Sequence, residues 1–237
     1  MAILAQVPGL KVEIVDRRYR PVNEYEDEGD GQSPEGQSPE GQEEQRTYEV
    51  TRYIESKSGA KFGIRRTFDE TFSAEHGIRM DIRIDGCIAR VMLDAPANLH
   101  EHDGQRVVSF QHEYKDSKRL RRDFQFAALE AGEMSDDEGL SNLPHNIQAV
   151  GTISVIFYKI KNVRCCPRTS PMMDSPLHKK IERMTEKSMK GDTRSHTFTL
   201  GEPREAKPKK SMWLYDFVDE EQYPFAKYHF KYRSLGE

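Results

Sequence analysis

Apolar and polar residues alternate with a period of two through most of this chain, the pattern of strands with one buried face. The alternation is clearest from Ile78 to Leu93, where two runs are joined by Asp85-Gly86. That dipeptide suits a two-residue hairpin turn, because both central positions must take positive φ. With the turn placed there, Ile84 is expected opposite Cys87, Ile82 opposite Ala89, Met80 opposite Val91 and Ile78 opposite Leu93. One face is then wholly apolar, and on the wet face Asp81 falls opposite Arg90.

The same rule predicts further strands. Leu10, Val12 and Ile14 alternate with Lys11 and Glu13. Tyr48, Val50, Arg52 and Ile54 form a run that ends at Ser56-Lys57-Ser58-Gly59, and Phe62, Ile64 and Phe68 follow it. Val107 to Tyr114 and Leu120 to Leu129 read as another pair. Gly151 to Ile160 is apolar on both faces, which predicts a central strand covered on both sides. Ala226, Tyr228, Phe230 and Tyr232 alternate with Lys227, His229, Lys231 and Arg233, a half-buried strand with a basic outer row. Eight or nine strands separated by turn signals predict a mostly-β fold, an antiparallel, jelly-roll-like β-sandwich forming a single domain over 1–237.

One short helix is expected over 175–191. Ser175-Pro176 offers an N-cap with proline in the first turn, Leu177, Ile181 and Met184 share a face, and Gly191 can end the segment. Three stretches lack the strand pattern. Residues 24–45 contain a tandem repeat, Ser33-Pro34-Glu35-Gly36-Gln37 and Ser38-Pro39-Glu40-Gly41-Gln42, with no large apolar side chain to bury, and read as a disordered acidic insertion. Residues 131–148 read as a loop, and 201–212 as a basic loop containing Lys207, Lys209 and Lys210.

Charge alters this picture in one respect. The net charge is −4, yet nine of the 40 acids fall between Asn23 and Gln45, a stretch without Lys or Arg. The rest carries 36 basic against 31 acidic residues, a mildly basic body with an acidic appendage. The N-terminal sequence lacks the features of a secretory signal, and no stretch approaches the roughly 20 apolar residues of a membrane span. Cys87, Cys165 and Cys166 suit neither a disulfide framework nor a zinc site, so an intracellular, reducing compartment, cytoplasmic or nuclear, is expected.

Candidate chemistry is sparse. His100 and His102, with His112 ten residues on, are the candidates for a three-histidine metal site. They stand in a polar stretch, however, and read instead as solvated loop histidines, so no metal and no cofactor is expected. No serine or cysteine sits in a nucleophile turn, and the glycines near the N-terminus lie in an acidic segment that would repel phosphate. Lys115, Lys118, Arg119, Arg121 and Arg122 cluster at the expected tip of a hairpin beside Tyr114 and Phe124. They could grip phosphates, form a solvated turn, or pair with the acidic segment within the chain. Lys227, Lys231 and Arg233 supply a second basic row.

Several segments, in order along the chain, resemble one family, the domain of unknown function numbered 7918. They are Pro8-Gly9-Leu10-Lys11-Val12, Thr51 to Phe62, the hairpin at Asp85-Gly86, Gly151-Thr152-Ile153, Glu186 to Gly191 followed by Ser195-His196, and Phe230-Lys231-Tyr232-Arg233-Ser234. The resemblance implies a fungal origin and a β-sandwich, and carries no activity, ligand or catalytic residue. The expected function is therefore a non-enzymatic protein-interaction module. The alternatives are a nucleic-acid- or chromatin-associated protein using the basic hairpin tip, and a metal-dependent enzyme centred on the three histidines.

Overall fold

The computed structural model describes residues 2–26, 47–116, 118–128, 130–131, 149–167, 183–184, 196–209, 211–219 and 221–234. In chain order the strands are β1 (Ala2–Ile3), β2 (Leu10–Asp16), β3 (Glu24–Glu26), β4 (Tyr48–Glu55), β5 (Phe62–Phe68), β6 (Gly77–Ile84), β7 (Cys87–Asp94), β8 (Gln105–Val108) and β9 (Phe110–Lys115). There follow β10 (Lys118–Ala128), β11 (Glu130–Ala131), β12 (Thr152–Pro167), β13 (Arg183–Met184), β14 (His196–Leu200), β15 (Arg204–Glu205), β16 (Ser211–Phe217) and β17 (Ala226–Arg233). A single 3-10 turn at Pro96–Asn98 is the one helical element among the described residues that has a defined span.

The fold is an open β-sandwich. One layer is a seven-stranded sheet ordered β3-β4-β17-β12-β6-β7, with β16 also paired to β12. The other layer joins two four-stranded sheets, β1-β2-β5-β8 and one in which β10 pairs with β9, β14 and β15. A bridge between Lys61 and Gln125 and a hydrogen bond from Phe126 N–H to the Ala60 carbonyl link those two sheets. Alternate residues point to the same side of a strand, so Leu10, Val12, Ile14, Phe62, Ile64, Phe124 and Phe126 all face inward. Opposite them stand Ile78, Met80, Ile82, Ile153, Val155, Phe157, Tyr228, Phe230 and Tyr232, all buried. The layers meet through ring contacts, Phe68 edge-on to Phe157 and Phe126 against Tyr232.

The Asp85-Gly86 turn forms as expected, with φ of 51° and 80°. Its aspartate also closes the end of the sandwich. Asp85 Oδ1 accepts hydrogen bonds from the Tyr232 hydroxyl and Gly151 N–H, and Oδ2 accepts them from the Thr197 hydroxyl and Phe198 N–H. Four chain segments thus meet at one buried carboxyl.

The hairpin register differs from the alternation. Ile84 pairs with Cys87 as expected, but a bulge follows Ile82, after which Ile82 faces Arg90, Met80 faces Met92 and Ile78 faces Asp94. The bulge turns Met92 and Asp94 inward in place of Val91 and Leu93. Asp94 then forms a buried ion pair with Arg66 at 2.9 Å and a second with Arg106 at 2.5 Å. Asp81 pairs with Arg79 beside it on the same strand, not with Arg90.

Other expectations are corrected too. Within the predicted helix over 175–191, Arg183 and Met184 form a strand paired in parallel with Glu130–Ala131. That pairing supplies backbone partners which local helix signals cannot match, and the remainder of 175–191 lies outside the described residues. In the expected basic loop, Arg204 and Glu205 pair with Arg121 and Leu120, while Ser211 and Met212 begin β16. Glu24–Glu26, at the start of the acidic insertion, pairs with β4, and residues 27–45 lie outside the described residues, as do 132–148. No helix of the described residues is long and apolar enough to cross a membrane.

Candidate anion-binding site

The antiparallel pairing of β9 with β10 sets Arg121 opposite His112, Arg119 opposite Tyr114 and Asp123 opposite Phe110. Period-two alternation puts these six side chains on one face of the ribbon and sends Leu120 and Arg122 to the other. Arg90 comes in from the edge of the opposite layer, placed by the β7 bulge. Its Nη1 donates to His112 Nδ1, and Arg119 Nη2 donates to the same nitrogen at 3.0 Å. A nitrogen that accepts from two guanidinium groups carries no proton, so His112 is the neutral tautomer with its proton on Nε2. Arg121 lies 3.8 Å above the Phe110 ring, and Arg90 lies 5.1 Å from the same ring.

The electrostatics follow from that geometry. Burial, then the charges of Arg90, Arg119 and Arg121, push the His112 imidazole down to about 3. Burial, then repulsion from Arg119 and Arg106, brings the Arg90 guanidinium down to about 10. Among the described residues no carboxylate forms an ion pair with Arg90 or Arg119. Arg119 Nη1 donates to the Lys207 carbonyl, and its buried Nε has no partner among the described residues. Arg121 reaches Asp123 at 3.4 Å, a carboxylate shared with Lys61 at 2.9 Å. Beyond Arg121 a cleft of about 210 Å³ opens, lined among others by Arg17, Lys61, Asp123 and Arg204.

The remaining predicted residues are distributed otherwise. Lys115 and Lys118 face each other at the exposed hairpin tip. Arg122 is used internally, donating to the carbonyls of Leu200 and Gly201 and pairing with Glu113. On β17, Lys227 and His229 both meet Glu49, and Lys231 and Arg233 lie over the Tyr53 ring. The outer row is thus matched by the neighbouring strand β4. His100 and His102 are exposed in the turn after Pro96–Asn98, away from the strand that carries His112. Among the described residues no group of three or more His, Cys, Asp or Glu could hold a metal ion. The three cysteines are free, and Trp213 is partly exposed beside Cys165 on the β12–β16 ribbon.

Two members of the cluster, Arg90 and Phe110, were not among the candidates read from the sequence. Arg90 was expected opposite Asp81, and only the bulge redirects it. Phe110 could have been found, since Phe110-Gln111-His112-Glu113-Tyr114 alternates aromatic with polar immediately before the basic run.

The family model for a domain of unknown function (DUF7918) matches residues 9–237, and the chain belongs to that family. No curated protein and no solved structure matches the chain.

Proposed function

We propose that this member of the DUF7918 family is a non-enzymatic binding module that takes an acidic segment of another protein on the face formed by Arg90, His112, Arg119 and Arg121. The observation that carries the reading is the convergence of Arg90 and Arg119 on one neutral imidazole nitrogen, with no carboxylate paired to either among the described residues. A desolvated guanidinium without a counter-ion is unfavourable in the free protein, and an arriving anion removes that cost. Free cysteines, two of them exposed, support an intracellular setting in which thiols stay reduced.

Nucleic acid is the alternative occupant, and the distribution of charge argues against it. A phosphate backbone is gripped by a spaced track of cations and by aromatic faces for its bases. Here Arg122 and the β17 row are occupied within the fold, and Phe110 is covered by Arg121. The test is binding of labelled polyglutamate to the full chain at rising salt, against an Arg119→Glu/Arg121→Glu double variant whose unfolding midpoint is measured in parallel. Binding that weakens with salt and vanishes in the variant supports the proposal. Binding indifferent to the charge reversal overturns it, and a duplex oligonucleotide that binds more tightly than polyglutamate at equal salt moves nucleic acid into first place.

A further inference from the structure

We propose that Arg90, Arg119 and His112 form a receptor for one phosphoryl group, carried on a serine or threonine of the partner polypeptide, with the acidic residues beside it lying toward Arg121 and Arg204. This rests on the reading that the face takes an acidic protein segment, and it names the chemical group that the face selects.

The argument is one of donor number and direction. Arg90 and Arg119 come from different layers of the sandwich, yet both donate to His112 Nδ1, so their forks point to one place and not along a track. Their charges are therefore concentrated on a single group. A carboxylate offers two oxygens and one negative charge, enough for one fork. A phosphoryl group offers three acceptor oxygens and nearly two charges, enough for two forks and a further donor.

A further N–H lies on the same imidazole, on the side of the ring away from the two forks. With Nδ1 accepting, the His112 proton is on Nε2, which has no hydrogen-bond partner among the described residues. Arg119 Nε is buried and likewise unpartnered. Among the described residues the site thus holds an unused imidazole N–H beside two guanidiniums with no paired carboxylate, and the unpartnered buried Nε of Arg119 has counterparts at Arg66 and Arg83 elsewhere in the fold.

Arg121 connects this point to the rest of the surface. It covers Phe110 on one side and lines the cleft of about 210 Å³ on the other, where Arg17, Lys61, Arg121 and Arg204 outnumber the carboxylates Asp16 and Asp123. That volume suits one or two side chains of a peptide, and its cations favour acidic ones. A phosphorylated residue within an acidic run matches both parts.

The test uses the full chain and two synthetic peptides of one acidic sequence, one with a phosphoserine and one with serine. Inorganic phosphate is titrated separately against chloride at matched ionic strength while the side-chain NMR signals of His112 and Arg119 are followed. Phosphate is expected to shift both signals saturably where chloride does not, and the phosphopeptide to bind at least tenfold more tightly than its twin. Arg119→Lys keeps the charge but removes the fork, so it is expected to lose most of that ratio. Equal affinity for the two peptides, or an effect of phosphate no larger than that of chloride, overturns the inference. If the unphosphorylated peptide still binds and is lost on Arg119→Glu/Arg121→Glu, the acidic-segment reading survives that failure. If neither peptide binds, both readings fall, and duplex DNA that shifts the His112 and Arg119 signals with affinity growing with duplex length assigns the site to nucleic acid instead.

Discussion

Replacing Asp85 by asparagine separates the hydrogen-bonding role of this side chain from its backbone role. Asp85 takes φ of 51° in the hairpin turn, a left-handed conformation that asparagine adopts at least as readily, so the substitution leaves the turn unstrained. What changes is the number of acceptors. Oδ1 accepts from Tyr232 and Gly151, and Oδ2 from Thr197 and Phe198. The hydroxyls of Tyr232 and Thr197 can rotate to accept from an amide NH2, whereas a backbone N–H cannot. Whichever oxygen becomes nitrogen, one buried N–H, that of Gly151 or of Phe198, loses its acceptor. An orphaned buried donor costs about 2 kcal/mol, which in a chain of this size lowers the melting temperature by about 4–8 °C.

The pH dependence has a definite sign. Burial raises the Asp85 carboxyl above its ordinary value of 3.8, opposed by its four donors, with Tyr232 first. The native state then holds the proton where the unfolded chain has released it, so this group's contribution is greatest below 3.8 and declines as pH rises through the native value. Asp85→Asn removes that slope. Urea unfolding at a series of pH values measures both effects. A loss below about 0.5 kcal/mol with an unchanged pH slope refutes the account of Asp85 as an acceptor for four donors from three other chain segments.

Asp94→Asn leaves the buried Arg66 guanidinium without its counter-ion and is expected to cost about 3–5 kcal/mol. Arg106→Gln, at the half-exposed end of the same carboxylate, is expected to cost under about 1 kcal/mol, and urea denaturation distinguishes the two. Gly104→Ala places a Cβ 1.7 Å from the Phe68 carbonyl oxygen at φ of +66°, so a loss of at least about 3 kcal/mol or failure to fold is expected, read from soluble yield and circular dichroism. Arg90→Met keeps the aliphatic stem and removes a charge repelled by Arg119 and Arg106. The ligand-free protein is expected to gain about 1 kcal/mol in urea unfolding, and a comparable loss would show that the guanidinium is structural.

Local chemistry was readable from the sequence, and distant partners were not. The Asp85-Gly86 turn follows from two residues, and the half-buried period of β17 from eight. The hairpin bulge does not, because what drives it is Asp94 turning inward to meet Arg66, a residue from another sheet. The parallel pairing of β4 with β17 joins segments separated by most of the chain, and no local pattern encodes such a partner. At the candidate site the basic run was visible, and period-two alternation already separates Arg119 and Arg121 from Arg122. The arrival of Arg90 was hidden, because it depends on the bulge, and the quenching of the β17 row by Glu49 and Tyr53 was hidden with the β4 pairing.

Charge matching gives the cluster its meaning. Asp94 meets Arg66 and Arg106, Glu13 meets Arg65 and Lys11, Arg79 meets Asp81, and Asp85, with no cation, has four donors. Among the described residues Arg83, Arg90 and Arg119 are partly buried without a paired carboxylate, and of these Arg90 and Arg119 converge on one point; such departures concentrate at functional sites. On the proposed reading the departure is the source of selectivity. Repulsion among the guanidiniums raises the free energy of the empty protein, and an anion relieves it in proportion to the charge it delivers to that one point. A dianion relieves more than a carboxylate, so the same repulsion that weakens the free fold widens the difference in affinity between a phosphorylated segment and its unmodified form.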